Sequence, residues 1–512
     1  MNKDVDFRVI AEAQTATELG ESLRCLAILE PIRPEPSELF AQALPLRGRA
    51  LLARDPLGAL TALKEGIPLL AAFPEAQLEA QMLLGRAHIF TDQFAFAEDV
   101  LRGALERAQA LGNGRLVAYA CYNLATLLFV TRAFDEAEQF AQQAARDPDG
   151  LAQARAKAIA SWIRAGREDY AGQLRLAQQA LREAQAASTK DVALEASLTH
   201  VLAAVGMNLC DEEAVTLAWQ TAQSLRWTPD LRQKEFQTCR ALGTAAALVG
   251  DWFNMERFLR RAIALAPTPA WEAFAHLELA RLLRAGDNRS WSVELAIADE
   301  VGSAIDWQSI RGEEQEALLL FIELFAQDDP AKATRYSALL HTGPRLESRV
   351  GARTDARSEA KQQFAEGVLL KADGNAYLAA KYLRRTWEIF DRIGYAWRAA
   401  AAAFEMLDIC EPDESYAWLN RANRILSVAP QSWLVERLAK RSERPVEREI
   451  RLNAGPSRVR ELLAQGKTPR EICQILGLSR HTVNKHIAVI KRSYGAASLH
   501  QLIAELVVSH TA

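Results

Sequence analysis

TPREICQILGLSRHTVNKHIAVIKRSY, residues Thr468 to Tyr494, reads as two short helices joined by a tight turn. Thr468 caps the first helix, and Pro469 takes the first helical position, where no N–H is needed. Glu471, three residues after Thr468, completes a capping box. Ile472, Ile475 and Leu476 follow at i, i+3, i+4 and predict one apolar stripe. Gly477 suits a left-handed helix stop, Leu478 plugs the core and Ser479 caps the second helix. In that helix Val483, Ile487, Ile490 and Tyr494 recur at i, i+4, i+7, i+11 and predict a buried back. Arg480, His481, Asn484, Lys485, Ala488, Lys491 and Arg492 fall on the other side, and no acid occurs between Ser479 and Leu499. A packed back with a basic, amide-bearing front is what a helix in the major groove needs, because phosphates line that groove.

Working outward, Gly495 predicts a stop, and Ser498 opens a further helix with Gln501 as its capping-box partner. Leu499, Leu502, Ile503 and Leu506 form its apolar stripe. Residues 456–512 hold eight bases against three acids, a net of +5, which leaves −9 on the rest of a chain whose total is −4. A small basic tail on a large acidic body fits one module that meets nucleic acid and another that does not.

The terminal run resembles the LuxR-type (GerE-type) helix-turn-helix domain of bacterial transcription regulators. The residues that carry the resemblance are Leu462-Leu463-Ala464-Gln465-Gly466, Glu471-Ile472, Leu476-Gly477-Leu478-Ser479, Thr482-Val483, His486, Ile490 and Gly495. The chain departs from the family before Pro456, where Leu452-Asn453-Ala454-Gly455 replaces an acidic and basic cluster. Arg460 also stands where an apolar residue is usual. A first helix that starts late or packs differently is therefore expected. The resemblance implies that Asn484, Lys485 and Ala488 face base edges, with Asn pairing adenine, Lys pairing guanine and Ala touching a thymine methyl. Ser479, Arg480, His481 and Thr482 then stand at the helix start near one phosphate strand. Lys467, Arg470, Lys491 and Arg492 contact phosphates, which position the helix without specifying sequence. His486 lies between the two faces and reads as a structural or backbone-binding histidine. The last helix covers the core, and in the family it also tends to supply a dimer contact, which would place two reading helices about one DNA turn apart.

From the N-terminus to about Lys440 the chain is rich in Ala and Leu, helical in period and nearly without strand signals. One pattern recurs. Leu84-Gly85 is followed by a turn at Asp92 and by Ala97, Leu101 and Ala104. Leu124-Ala125 is followed by a turn near Arg132 and by Ala137, Ala141 and Ala144. Leu242-Gly243 precedes the turn Gly250-Asp251-Trp252, then Met255, Leu259 and Ala262. Gly367 precedes Gly374-Asn375, then Ala379 and Leu383. Weaker copies fall at Trp162 to Leu181, with Gly166 at the turn, and at Leu279 to Asp287. A small residue late in one helix lets the next pack closely, and the pair then stacks on its neighbours. This pattern resembles the tetratricopeptide (TPR) repeat, and such arrays accompany LuxR-type domains in large regulators. Trp162, Trp252 and Trp271 are expected in the core.

The fold expected is all-α, a TPR-like α-solenoid followed by a small four-helix helix-turn-helix domain. Its parts are a repeat domain over 1–440, a charged linker over 441–455 and a DNA-binding domain over 456–512. Six scattered cysteines and no Cys/His cluster point away from zinc and disulfides, so no metal is expected. The N-terminus has no signal-peptide core, and no uninterrupted apolar run approaches the ~20 residues that span a bilayer. The expected location is therefore cytoplasmic, with no membrane partner. Gly466-Lys467-Thr468 imitates the tail of a phosphate-binding loop, but Glu461 stands where that loop needs glycine. Glu313, Glu314 and Glu316 read as a solvated face. No catalytic constellation or cofactor motif emerges, so a non-enzyme is expected. The partners expected are double-stranded DNA, an unknown peptide, protein or small-molecule ligand on the solenoid, and a second copy in a homodimer. The alternative is a TPR-type interaction scaffold whose terminal domain no longer binds DNA.

Overall fold

The computed structural model describes residues 3–310, 312–342, 356–411, 414–442, 454–465, 467–494, 499 and 502. Every regular element among these residues is helical. The chain divides into two compact units, Met1–Ala245 with Asn254–Thr268, and Ala246–Phe253 with Pro269–Ala512.

In the first unit the repeat pattern becomes antiparallel helix pairs. Helix α1 (Pro74–Phe90) packs on α2 (Phe94–Ala110), α3 (Gly114–Val130) on α4 (Phe134–Ala144), and α5 (Gly150–Gly166) on α6 (Tyr170–Ala186). Each turn contains one left-handed residue, seven positions after a small one: Asp92 after Gly85, Arg132 after Ala125 and Glu168 after Ser161. The small residue is set by contact. A Cβ on Gly85 would lie 2.6 Å from Cγ of Leu101, a fully buried residue of the partner helix. The third copy, α7 (Arg232–Leu248) and α8 (Trp252–Leu265), repeats this with Gly243 placed 2.8 Å from Leu259 Cγ on the same test and Gly250 at φ +73.

Gly166 departs from its expected place at the turn. It ends α5 beneath the ring of Phe134, which a Cβ would meet at 2.5 Å, and Glu168 takes the left-handed conformation instead. Close packing needed the glycine more than the turn did. A second departure is Val192–Leu209, which by length and composition could cross a membrane, with a mean hydropathy of 1.4. Glu195 and His200 interrupt it, which is why no uninterrupted run revealed it. In this fold 67% of it is buried inside the protein.

The second unit continues with α9 (Pro269–Ala285), α10 (Trp291–Ser303), α11 (Glu316–Phe325), α12 (Ala356–Ala372), α13 (Ala376–Arg392), α14 (Ala396–Met406), α15 (Ser415–Asn423) and α16 (Trp433–Ser442). Pair α12 and α13 holds the same register, with a Cβ on Gly367 reaching within 2.8 Å of Leu383 Cγ and Gly374 at φ +79. Trp271 is buried, while Trp162 and Trp252 are half-buried.

The three clustered carboxylates do not share one solvated face. Glu313 is exposed, but the Glu316 carboxylate accepts from Lys361 Nζ at 2.6 Å, with the two side chains 13% and 14% exposed. Residues 317–322 of α11 are fully in the core, so the helix draws Glu316 inward to an ammonium on α12. Burial, opposed mainly by Glu316, pushes the Lys361 ammonium down to about 8.

Helix α16 reaches Ser442, inside the range expected as linker, and residues 443–453 lie outside the described residues. The first helix of the terminal domain does not start late. Helix α17 (Ala454–Ala464) begins two residues before the expected boundary, and is followed by α18 (Pro469–Leu476) and α19 (Arg480–Tyr494). The expected last helix lies outside the described residues except for Leu499 and Leu502. The protein is all-α, with TPR-like repeats followed by a helical helix-turn-helix domain.

Candidate nucleic-acid interface

The local chemistry of residues 468–482 fixes how the two short helices are presented. The Thr468 backbone N–H donates to Glu471 Oε2 at 2.7 Å, and the Glu471 N–H donates back to Thr468 Oγ1 at 3.4 Å. The Thr468 N–H first, and the Thr468 hydroxyl donating to the same oxygen at 2.8 Å next, hold the Glu471 carboxyl below its usual range. Gly477 adopts φ +62 and its N–H bonds Cys473 O, which ends α18. Ser479 Oγ accepts the Thr482 N–H at 3.1 Å and lies 2.9 Å from Thr482 Oγ1, so both hydroxyls are engaged in the cap of α19.

Behind these helices Val459, Leu463, Ile472, Val483, Ile487, Ile490 and Leu502 form one buried cluster. Ile475 does not join it and is 53% exposed. Helix α18 has only two turns, and it meets the core through Ile472, Cys473 and Leu476. That stripe is centred more than 60° around the helix from Ile475, taking about 100° per residue. His486 is half-buried, and its ring lies 3.0 Å from where a Cβ on Gly455 would stand. Tyr416 of α15 also packs on the cluster, and α15 touches α19.

On the front of α19, Arg480, His481, Asn484, Lys485 and Ala488 are exposed. The i, i+3 and i+4 relations among 481, 484, 485 and 488 make one continuous patch. Lys467 and Arg470 are exposed at the start of α18, Ser479 is exposed, and Thr482 and Lys491 are half-buried. The Arg492 side chain and that of Tyr494 lie outside the described residues. Although α15 packs on the domain, it leaves this front open to solvent.

Residues 457–506 match the family of bacterial regulatory proteins described as luxR family, GerE. The chain ends in a LuxR-type helix-turn-helix domain. The match starts three residues into α17 and includes the buried cluster and the exposed front. No curated protein matches the chain. Among solved structures, the APC/C hetero-tetramer Cut9–Hcn1 is similar at 12% identity and a TM-score of 0.36, over 98% of this chain and 89% of that one. Naa15/Naa10 bound to HypK-THB is similar at 11% identity and a TM-score of 0.24, over 98% and 79%.

Sequence reasoning on the LuxR-type domain passed over a second concentration of chemistry in α9. Its residues 273–283 are all buried, including His276, Glu278 and Arg281. His276 Nδ1 lies 2.7 Å from Glu294 Oε2 on α10. Three ionisable residues in one otherwise apolar helical run are a signal readable without coordinates, because a charge stays buried only when something compensates it.

Proposed function

We propose that the protein is a cytoplasmic regulator of transcription. Its LuxR-type domain binds duplex DNA as a homodimer with α19 in the major groove, and its TPR-like repeats bind a regulatory partner. The observation that carries this reading is the acid-free, exposed front of α19 on a back packed through Val483, Ile487 and Ile490. Asn484, Lys485 and Ala488 read base edges. Lys467, Arg470, Arg480, His481, Lys491 and Arg492 set the helix against phosphates, with Ser479 and Thr482 fixing its first turn. A net positive charge at this end of an otherwise net-acidic chain supports the same division of labour.

Genome-wide occupancy of the native protein beside Lys485→Ala tests it. Discrete sites sharing an inverted repeat, and lost in the variant, are expected. A map without sites, or one unchanged by the variant, overturns DNA reading and leaves the interaction scaffold.

A further inference from the structure

Helices α9, α10, α11, α12, α14 and α16 of the second unit line a cavity of about 510 Å³. That lies within the range of small-molecule sites. Part of its wall is aromatic, from Trp291, Phe364, Phe404 and Trp433. The Arg437 guanidinium is held beside two of these rings, 4.4 Å from the centre of Phe404 and 5.9 Å from that of Trp433. A guanidinium placed on ring faces is oriented by them and keeps its N–H groups for another partner.

Several charges on the wall are already matched. Arg284 donates to Leu324 O and Gln327 Oε1, both at 3.2 Å, and pairs with Asp328 at 2.8 Å. Glu405 is taken by Lys371 at 2.6 Å, and Asp287 also has a partner. Arg289 is exposed at the turn after α9. Glu323 of α11 and Arg437 of α16 differ from these. Each is half-buried on the cavity wall, and neither makes a hydrogen bond or an ion pair. Their polar atoms are open to water, whereas Arg281 Nε and Trp433 Nε1 on the same wall are closed off. Burial pushes the Glu323 carboxyl above its usual range, opposed by the fields of Arg281, Arg398 and Arg437. Arg437 therefore attracts Glu323 without touching it, and both open onto one space. Opposite charges this near would close into a salt bridge if their helices let them, and a pair held open is left to be bridged by something else.

We propose that this cavity binds a free aromatic amino acid as its zwitterion, with the ligand carboxylate on Arg437, the ligand ammonium on Glu323 and the ring among Trp291, Phe404 and Trp433. A ligand that is only an anion would set a like charge before Glu323. One that is only a cation would meet Arg437, with Arg281 and Arg398 behind it. A zwitterion satisfies both groups and adds no net charge to the cavity, and the aromatic wall selects a flat apolar side chain. This deepens the partner-binding half of the function proposed above and rests on it. Because binding is read without DNA, its failure is distinct from a failure of DNA recognition.

Calorimetric titration of the full-length protein with L-tryptophan and L-phenylalanine tests the site, beside N-acetyl-L-tryptophan, L-tryptophanamide and glycine. The acetyl group removes the ammonium, the amide removes the carboxylate and stands in for the first residue of a peptide, and glycine lacks the ring. Saturable binding of at least one aromatic amino acid is expected, with all three controls at least ten-fold weaker. Glu323→Gln and Arg437→Gln are each expected to weaken that amino acid at least ten-fold. In Arg437→Gln the gap between L-tryptophan and its amide should close, and in Glu323→Gln the gap between L-tryptophan and its N-acetyl form. A variant that only loosened the cavity would keep both gaps. If a variant fails to fold, the comparison of ligands on the parent decides alone. Absence of saturation with both aromatic amino acids overturns the proposal. So does equal binding of any control, parental affinity in either folded variant, or a gap that persists where it should close.

Discussion

Gly85→Ala and Gly103→Ala make the same chemical change in neighbouring helices and are expected to shift stability in opposite directions. Both glycines lie inside helices, α1 and α2. There alanine is favoured by about 1 kcal/mol through the smaller backbone freedom of the unfolded chain. A Cβ on Gly103 meets nothing within 4 Å, so the gain stands alone. A Cβ on Gly85 lies 2.6 Å from both Cγ and Cδ2 of Leu101, against roughly 3.5–4.0 Å for carbons in contact. Leu101 is fully buried, and Cγ is a branch point with no freedom to swing aside. The pair must separate or the leucine must leave its rotamer, an overpacking cost of about 1–3 kcal/mol. Net of the helical gain, Gly85→Ala costs up to about 2 kcal/mol. Denaturant midpoints of the full-length protein, followed by far-ultraviolet circular dichroism, read both variants. In a Leu101→Ala background the obstruction is gone, and Gly85→Ala should then raise the midpoint. An increase for Gly85→Ala alone, or the same decrease in the Leu101→Ala background, would refute contact as the reason for glycine in this register.

Asn484→Ala and Lys485→Ala should each cost about 1–3 kcal/mol on the specific DNA site, measured by fluorescence anisotropy. Lys467→Ala and Arg470→Ala should instead weaken all duplexes alike and reduce the salt slope by about 1 each. Thr468→Ala removes the side-chain half of a capping box and should destabilise α18 by about 1 kcal/mol, read as faster amide exchange at Glu471 and Ile472. The Glu471 carboxyl titrates below its usual range, so its help to the cap is complete above the ordinary carboxylate pKa. That help fades as pH falls through the lowered value, which carbon-detected titration will follow. Lys361 titrates in the fold near 8, below its unfolded value. Between those two values the unfolded chain binds the extra proton, so this group makes stability rise with pH across that window. Glu316→Gln should lower the Lys361 value further, and an unchanged value would show that the ion pair does not hold the proton.

What could be read from sequence follows from how local the cause was. The LuxR-type domain was legible because its caps and stops are set by neighbours in the chain. Thr468 with Glu471, Gly477 and Ser479 all act within four residues. The repeats were legible because the small residue, the turn and the apolar partner keep fixed intervals; Gly85, Gly243 and Gly367 each oppose a leucine sixteen residues on. Errors arose where a distant element decided. Ile475 had the right spacing for a stripe, but the position of α17 and α19 selected Cys473 instead. Gly166 looked like a turn residue until Phe134, 32 positions earlier, required the space. Glu316 looked solvated because Lys361, 45 residues away, is invisible to local patterning.

The same distinction separates surface charges from buried ones. The front of α19 is a surface site, so its charges cost little to hold and reveal themselves as a run without acids. Inside the second unit a buried charge is tolerated only through a partner on another helix, as Glu316 of α11 is by Lys361 of α12 and as His276 of α9 is set against Glu294 of α10. Those partners stand 45 and 18 residues apart in the chain, so no local window of sequence contains both members of the first pair, and the second is separated by a full turn between helices.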